Sequence, residues 1–186
     1  MLTLKKINRL PSLAFILFIL AMSCNDGSAN RLETFVKAPD FKLSTLEDKE
    51  ISLSDYSGKY LIVHIATTWC PYCNAEMPHL EQLYKDYKDR DVEVLVIDVK
   101  EPKELVDEKL KQRFAMQIPI VLDLDGTVAG SFAPDDVLPD LSRDEVMLAS
   151  NIVIDPDGQI IFMSLLDTKN FDTELVEIKQ LLDEVL

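Results

Sequence analysis

Residues 60–66, Tyr-Leu-Ile-Val-His-Ile-Ala, form an unbroken and largely β-branched apolar run, and four residues later the chain reads Cys70-Pro71-Tyr72-Cys73. A run of that kind, with no polar alternation, predicts a strand covered on both faces and therefore central in a sheet. Behind the cysteines, Leu80, Leu83 or Tyr84, and Tyr87 recur at helical spacing over 71–89. Pro71 suits a first helical turn, and Pro78 demands a kink or a later start. The two cysteines therefore fall where a buried strand gives way to an amphipathic helix.

The segments around this junction alternate in type. Residues 92–99 (VEVLVIDV) read as a second buried strand, and 102–115 as a helix presenting Val106, Leu110 and Phe114. Upstream, FKLSTL and EISLSDY flank Glu47-Asp48-Lys49 as two short strands with a turn. Residues 119–123 followed by Asp125-Gly126 are another strand and its turn, and 151–164 are a hairpin turning at Pro156-Asp157-Gly158. Residues 172–186 close the chain as a helix with Leu175, Ile178, Leu182 and Val185 on one face. The acidic, proline-containing stretch 133–148 carries no clear element beyond a short helix from Ser142, and it reads as a solvated loop or as a surface that defines partner choice. The expectation is an α/β fold: a central mixed β-sheet flanked by helices, with an N-terminal β-hairpin extension.

The start of the chain reads as an address. Lys5, Lys6 and Arg9 precede an apolar stretch at 10–22 that is shorter than the ~20 residues of a membrane-spanning helix, the pattern of a signal peptide. Ala21-Met22-Ser23-Cys24 then turns polar at once, which resembles the lipobox of bacterial lipoproteins, although Ala21 stands where that box usually has Leu. That resemblance implies residues 1–23 as a lipoprotein-type signal peptide and Cys24 as the lipidated first residue of the mature chain. Residues 24–37 are polar with little periodicity and read as a tether, leaving 38–186 as one folded domain. Export places the domain in the cell envelope, facing the periplasm and held at a membrane by lipid, with the choice of inner or outer membrane open.

Charge excludes one class of partner. The chain has 33 acidic against 19 basic residues, a formal net charge of −14, which repels nucleic-acid phosphates. With 3 cysteines it is no disulfide-stapled scaffold, so their placement is what matters.

Cys70 lies at a helix N-terminus, where unpaired N–H groups and the helix dipole favour thiolate over thiol. Cys73 is one turn on, close enough to form a disulfide or to resolve a mixed one. Two other readings of the pair stand beside the redox one: half of a zinc site, and two incidental core cysteines. A zinc site would need further ligands, and once Cys24 is assigned the chain offers only His64 and His79 as Cys or His donors.

Several motifs together carry a family resemblance. Ala-Pro-Asp-Phe at 38–41, Leu-Ser-Asp-Tyr-Ser-Gly-Lys at 53–59, Thr-Thr-Trp-Cys-Pro-Tyr-Cys at 67–73, Glu-Met-Pro-His-Leu at 76–80 and Ile-Asp-Pro-Asp-Gly at 154–158 are similar to those of TlpA/ResA-like thiol–disulfide oxidoreductases. These belong to the thioredoxin superfamily and are related to the AhpC/TSA redoxins. The resemblance runs from about residue 38 to the C-terminus. It implies a thioredoxin-like fold with Cys70 as attacking thiol and Cys73 as buried resolving thiol. Trp69, Pro71 and Tyr72 would line the substrate groove, and Glu76 would tune the proton affinity of the pair.

Two positions depart from that pattern. His64 stands where this family commonly carries Asn, and an imidazole beneath the resolving cysteine is expected either to shuttle its proton near neutral pH or to be a hydrogen-bonded strand histidine without catalytic role. Ala149 stands where a cis-proline normally faces the dithiol. A non-proline cis bond costs ~3 kcal/mol, so a trans peptide and a reshaped groove are expected there.

The resulting expectation is an exported, membrane-tethered thiol–disulfide oxidoreductase, needing no cofactor or metal, that reduces disulfides of envelope proteins, cytochrome c maturation substrates among them. A membrane dithiol would supply its electrons. The alternative from a different class is a metal- or client-binding module without redox turnover, which the loss of proline at 149 keeps open. A peroxiredoxin-type antioxidant fits less well: those relatives place Pro seven residues before the peroxidatic Cys, where this chain has Val63, although Thr67 matches their Thr.

Overall fold

The computed structural model describes residues 36–186, so the expected signal peptide, Cys24 and nearly all of the expected tether lie outside the described residues. Eight strands form one mixed sheet: β1 (Val36–Lys37), β2 (Lys42–Thr45), β3 (Glu50–Ser52), β4 (Tyr60–Ala66), β5 (Val92–Val99), β6 (Ile120–Asp123), β7 (Ser150–Ile154) and β8 (Gln159–Ser164). Their spatial order is β1-β8-β7-β4-β5-β6-β2-β3. β4, β5 and β6 run parallel, and the remaining neighbours pair antiparallel. The fold is thioredoxin-like, with the β2–β3 hairpin as an added edge.

β4 is central because every side chain from Leu61 to Ala66 is buried. Its residues alternate between faces: Ile62 and Ala66 enter one core cluster, while Leu61, Val63 and Ile65 enter the other. His64 is in phase with Ile62 and Ala66, the face that packs Met77 and Leu80 of α1 (Pro71–Tyr87) and Ile178 of α5 (Val176–Val185). The opposite face is covered by Ala129 of α3 (Thr127–Ser131) and Val146 of α4 (Arg143–Val146).

Four local expectations change. β1 recruits Val36 and Lys37 from the end of the tether by pairing with Ile160 and Gln159; both residues are exposed, so no hydrophobic pattern marks them. α1 starts at Pro71 and runs through Pro78 rather than starting after it. The helix over 102–115 is not uniform: α2 (Lys103–Val106) widens into a π-helical segment, Asp107–Gln112, and the Met116 N–H reaches back to the Lys111 carbonyl at 3.0 Å. α5 begins four residues late because Leu175 adopts φ +57, and it buries Ile178, Leu181 and Leu182 while Val185 faces solvent. The short helix at 143–146 does begin at Ser142, whose N–H and hydroxyl both donate to the Glu145 carboxylate.

Candidate active site

β4 ends at Ala66, and the chain turns over Thr67–Trp69 before Cys70 caps α1. Cys70 has extended backbone angles, φ −75 and ψ 115, and its Sγ accepts the Cys73 N–H at 3.2 Å. This places the sulfur where the first turn of a helix offers its unpaired donors. Cys70 and Cys73 form a disulfide with their Cα atoms 5.3 Å apart. Cys70 is 4% exposed and Cys73 fully buried, whereas the neighbouring Trp69 is 66% exposed and stands out from the surface. Pro71, at the first helical position, donates no N–H that the helix would need. Tyr72 meets Phe171 edge-on, with ring centroids 4.9 Å apart.

One turn after Cys73, Glu76 is 1% exposed. Its Oε1 accepts Asn151 Nδ2 at 2.8 Å, while Oε2 has no hydrogen-bond partner. Asn151 pairs in register with His64 across β7 and β4, and its Oδ1 lies 2.9 Å from His64 Nδ1. His64, Asn151 and Glu76 thus form one buried chain under the dithiol. Burial pushes Glu76 up to about 8, only partly offset by the Asn151 amide, and the same burial pushes His64 down to about 4. His64 is therefore neutral at pH 7, which favours the hydrogen-bonded strand histidine over the proton shuttle of the two readings; the group in this chain that titrates near neutrality is Glu76.

Ala149 lies in the same buried cluster as both cysteines. Its φ is +58, its N–H donates to the Ile65 carbonyl at 2.9 Å, and there is no cis peptide bond among the described residues. With Glu76, Asn151, Phe162, Phe171 and Asp172 it lines a cleft whose walls include neither cysteine nor Trp69, Pro71 or Tyr72, so the expected groove residues do not share one cleft with Ala149.

The model of the AhpC/TSA family matches residues 36–163. The chain belongs to the AhpC/TSA family. It is 35% identical to the thiol-disulfide oxidoreductase ResA of Geobacillus kaustophilus over 76% of each chain. To the protein of the same name from Geobacillus thermodenitrificans it is 43% identical over 51% of this chain, a match that spans 54% of that relative. Among solved structures, a candidate protein disulfide isomerase from Bacteroides thetaiotaomicron superposes with a TM-score of 0.65 at 25% identity, covering 86% of this chain and 94% of its own. Within the AhpC/TSA family this chain is thus a ResA-type redoxin and an oxidoreductase.

Two features of this AhpC/TSA member bear on the other readings of the cysteine pair. Among the described residues, no three His, Cys, Asp or Glu side chains gather as a metal ion would need. The cysteines, though part of the core cluster, are bonded to each other, as the redox reading expects. Asn151, the link between His64 and Glu76, was not evident in the sequence. Its pairing with His64 spans 87 residues and depends on the antiparallel placement of β7 against β4.

Proposed function

We propose that this protein is an exported, lipid-anchored reductase of disulfides in envelope proteins. The observation that carries the reading is the Cys73 N–H donated to Cys70 Sγ at the head of α1, since a donor aimed at that sulfur favours the thiolate. In the reduced protein the Cys70 thiolate attacks one sulfur of a client disulfide. The client S–S bond breaks, a mixed disulfide forms, and the released client thiolate takes up a proton. Cys73 then gives up its proton and attacks Cys70, expelling the second client thiolate and leaving the protein oxidised, with two electrons passed to the client.

Glu76 supports the second step. It lies three residues beyond Cys73 on α1, on the same helical face, and its carboxyl, pushed up to about 8, matches the ~8.5 of a free thiol closely enough to exchange a proton at little cost. Turnover requires an outside dithiol, supplied by a membrane protein in the same compartment. Disulfide-bearing envelope proteins are the clients, cytochrome c maturation substrates included. Among the described residues no helix is long and apolar enough to cross a membrane. Attachment in this reading is by lipid at Cys24, with residues 1–23 removed as the signal peptide.

The test is covalent capture in cells. Cys73→Ser should accumulate mixed disulfides through Cys70, and Cys70→Ser should accumulate none. Titration of the wild-type pair in glutathione buffer should give a midpoint at or below about −230 mV, on the reducing side of the range for this fold. A midpoint near −120 mV would make the protein an oxidant, and the absence of trapped clients would end the catalytic reading of the pair.

A further inference from the structure

The turn that carries Cys70 is held by a carboxylate from a different segment of the chain. Glu101 follows β5 in the loop to α2 and is buried. Its Oε2 accepts the Thr68 N–H at 2.5 Å, and its Oε1 accepts the Thr68 hydroxyl at 2.7 Å. The Thr68 carbonyl in turn accepts Asn74 Nδ2, from the first turn of α1, at 2.9 Å. The Cys70 N–H donates to the carbonyl of the adjacent Thr67 at 3.3 Å. A single side chain thus fixes Thr68 through both its backbone and its hydroxyl, two residues before the attacking sulfur.

The geometry points to Glu101 as a positioning residue for Cys70, acting through Thr68; this rests on the reading of Cys70 as the attacking thiol. A strand-to-helix turn has no ladder or helix bonds of its own to set its torsions, and Cys70 receives the Cys73 N–H only while it keeps the extended capping conformation. Thiol–disulfide exchange also needs the sulfur aligned with the bond it breaks, and a misplacement of about 1 Å costs about 100-fold in rate. Asp98 also borders Glu101. It stands opposite Ala66 in the sheet, and burial, then the charge of Glu101 and hydrogen bonding with it, push Asp98 up to about 8, so at neutral pH it is protonated and does not repel Glu101 from Thr68.

The proposal separates position from charge. Gln at 101 still accepts the Thr68 N–H through its carbonyl and turns its amide toward the hydroxyl, which can accept; Ala offers neither contact. The experiment measures, on the full reduced chain, the rate of mixed-disulfide formation with a small aromatic disulfide as a function of pH. This yields the limiting rate and the apparent pKa of the Cys70 thiol. Glu101→Ala is expected to lower the limiting rate about 10-fold or more and to raise the thiol pKa, while Glu101→Gln stays within about 3-fold of wild type. Thr68→Val, which keeps the amide contact and drops the hydroxyl one, should fall between them.

Wild-type rate and thiol pKa in Glu101→Ala would overturn the assignment. So would a loss in Glu101→Gln as large as in Glu101→Ala, which would give the effect to charge. Should Glu101→Ala fail to fold, Thr68→Val decides in the same terms. A wild-type protein that forms no mixed disulfide at Cys70 would instead overturn the catalytic reading itself.

Discussion

His64 Nδ1 lies 3.5 Å from Glu76 Oε2, yet the two do not form an ion pair at neutral pH. Both are buried, and for each the loss of hydration outweighs the attraction that a charged partner would offer. What joins them is the Asn151 amide, which engages His64 with its oxygen and Glu76 with its nitrogen.

Stability should therefore fall as pH rises from about 4.5 to about 8. Glu76 goes from 4.5 in the unfolded chain to about 8 in the fold, and Asp98 from 3.8 to about 8, so the folded state holds protons that the unfolded state has released. Stability contributed below the unfolded values is lost as pH rises toward 8. His64 acts at the other end: its value drops from 6.5 to about 4, so its contribution is intact above 6.5 and lost as pH falls toward 4. Urea midpoints measured from pH 6.5 to 8.5 should decline, and Glu76→Gln should remove about 2 kcal/mol of the stability lost across that window. A flat profile would show that Glu76 and Asp98 ionise in the fold much as they do in water.

Asn151→Leu keeps the branching of the side chain at Cγ, in a larger volume, but strips both hydrogen bonds. Glu76 Oε1 and His64 Nδ1 would then be buried without partners, at ~1–3 kcal/mol each. The expected loss in urea unfolding is ~2–5 kcal/mol, with the Glu76 carboxyl pushed further up because the amide that lowers it is gone. A loss under ~1 kcal/mol would mean that water replaces the amide at little cost.

Ala149→Pro would restore the residue that the family resemblance leads one to expect, and it should harm this chain. Proline holds φ near −65°, whereas Ala149 sits at +58, and proline lacks the N–H that now reaches the Ile65 carbonyl. The expected cost in thermal or urea unfolding is ~3 kcal/mol or more. An unchanged midpoint would mean that the backbone before β7 rebuilds itself around the new ring.

Trp69 offers a test of client contact separate from folding. Being 66% exposed, it should cost less than ~0.5 kcal/mol of stability when replaced by Ala. Turnover of a protein disulfide should nevertheless fall roughly 5- to 30-fold in kcat/KM, the value of ~1–2 kcal/mol from an exposed aromatic anchor, with a small disulfide reagent little affected. Equal losses on both substrates would assign Trp69 to the dithiol rather than to the client surface.

The sequence carried the elements whose signals are local. The apolar run at 60–66, the hairpin turn at 156–158 and the helix after Cys70 each announce themselves within a dozen residues, and each is found there. What stayed hidden depends on distant pairing. β1 exists only because Val36 and Lys37 meet β8, and Asn151 matters only because β7 lies against β4. His64 could be picked out by its place in an apolar strand. Its protonation could not, since that follows from complete burial and the company of Asn151.

The burial of the disulfide also limits who can use it. Only Cys70 reaches the surface, and by no more than 4% of its area, beside a tryptophan that projects past it. A sulfur set back in this way meets its counterpart only if that counterpart is carried on a thin, yielding stretch of chain. A disulfide locked inside a finished globule could not be brought into line with it. For the proposed reductase such a recess would favour bonds still carried by open chain over bonds sealed into mature proteins.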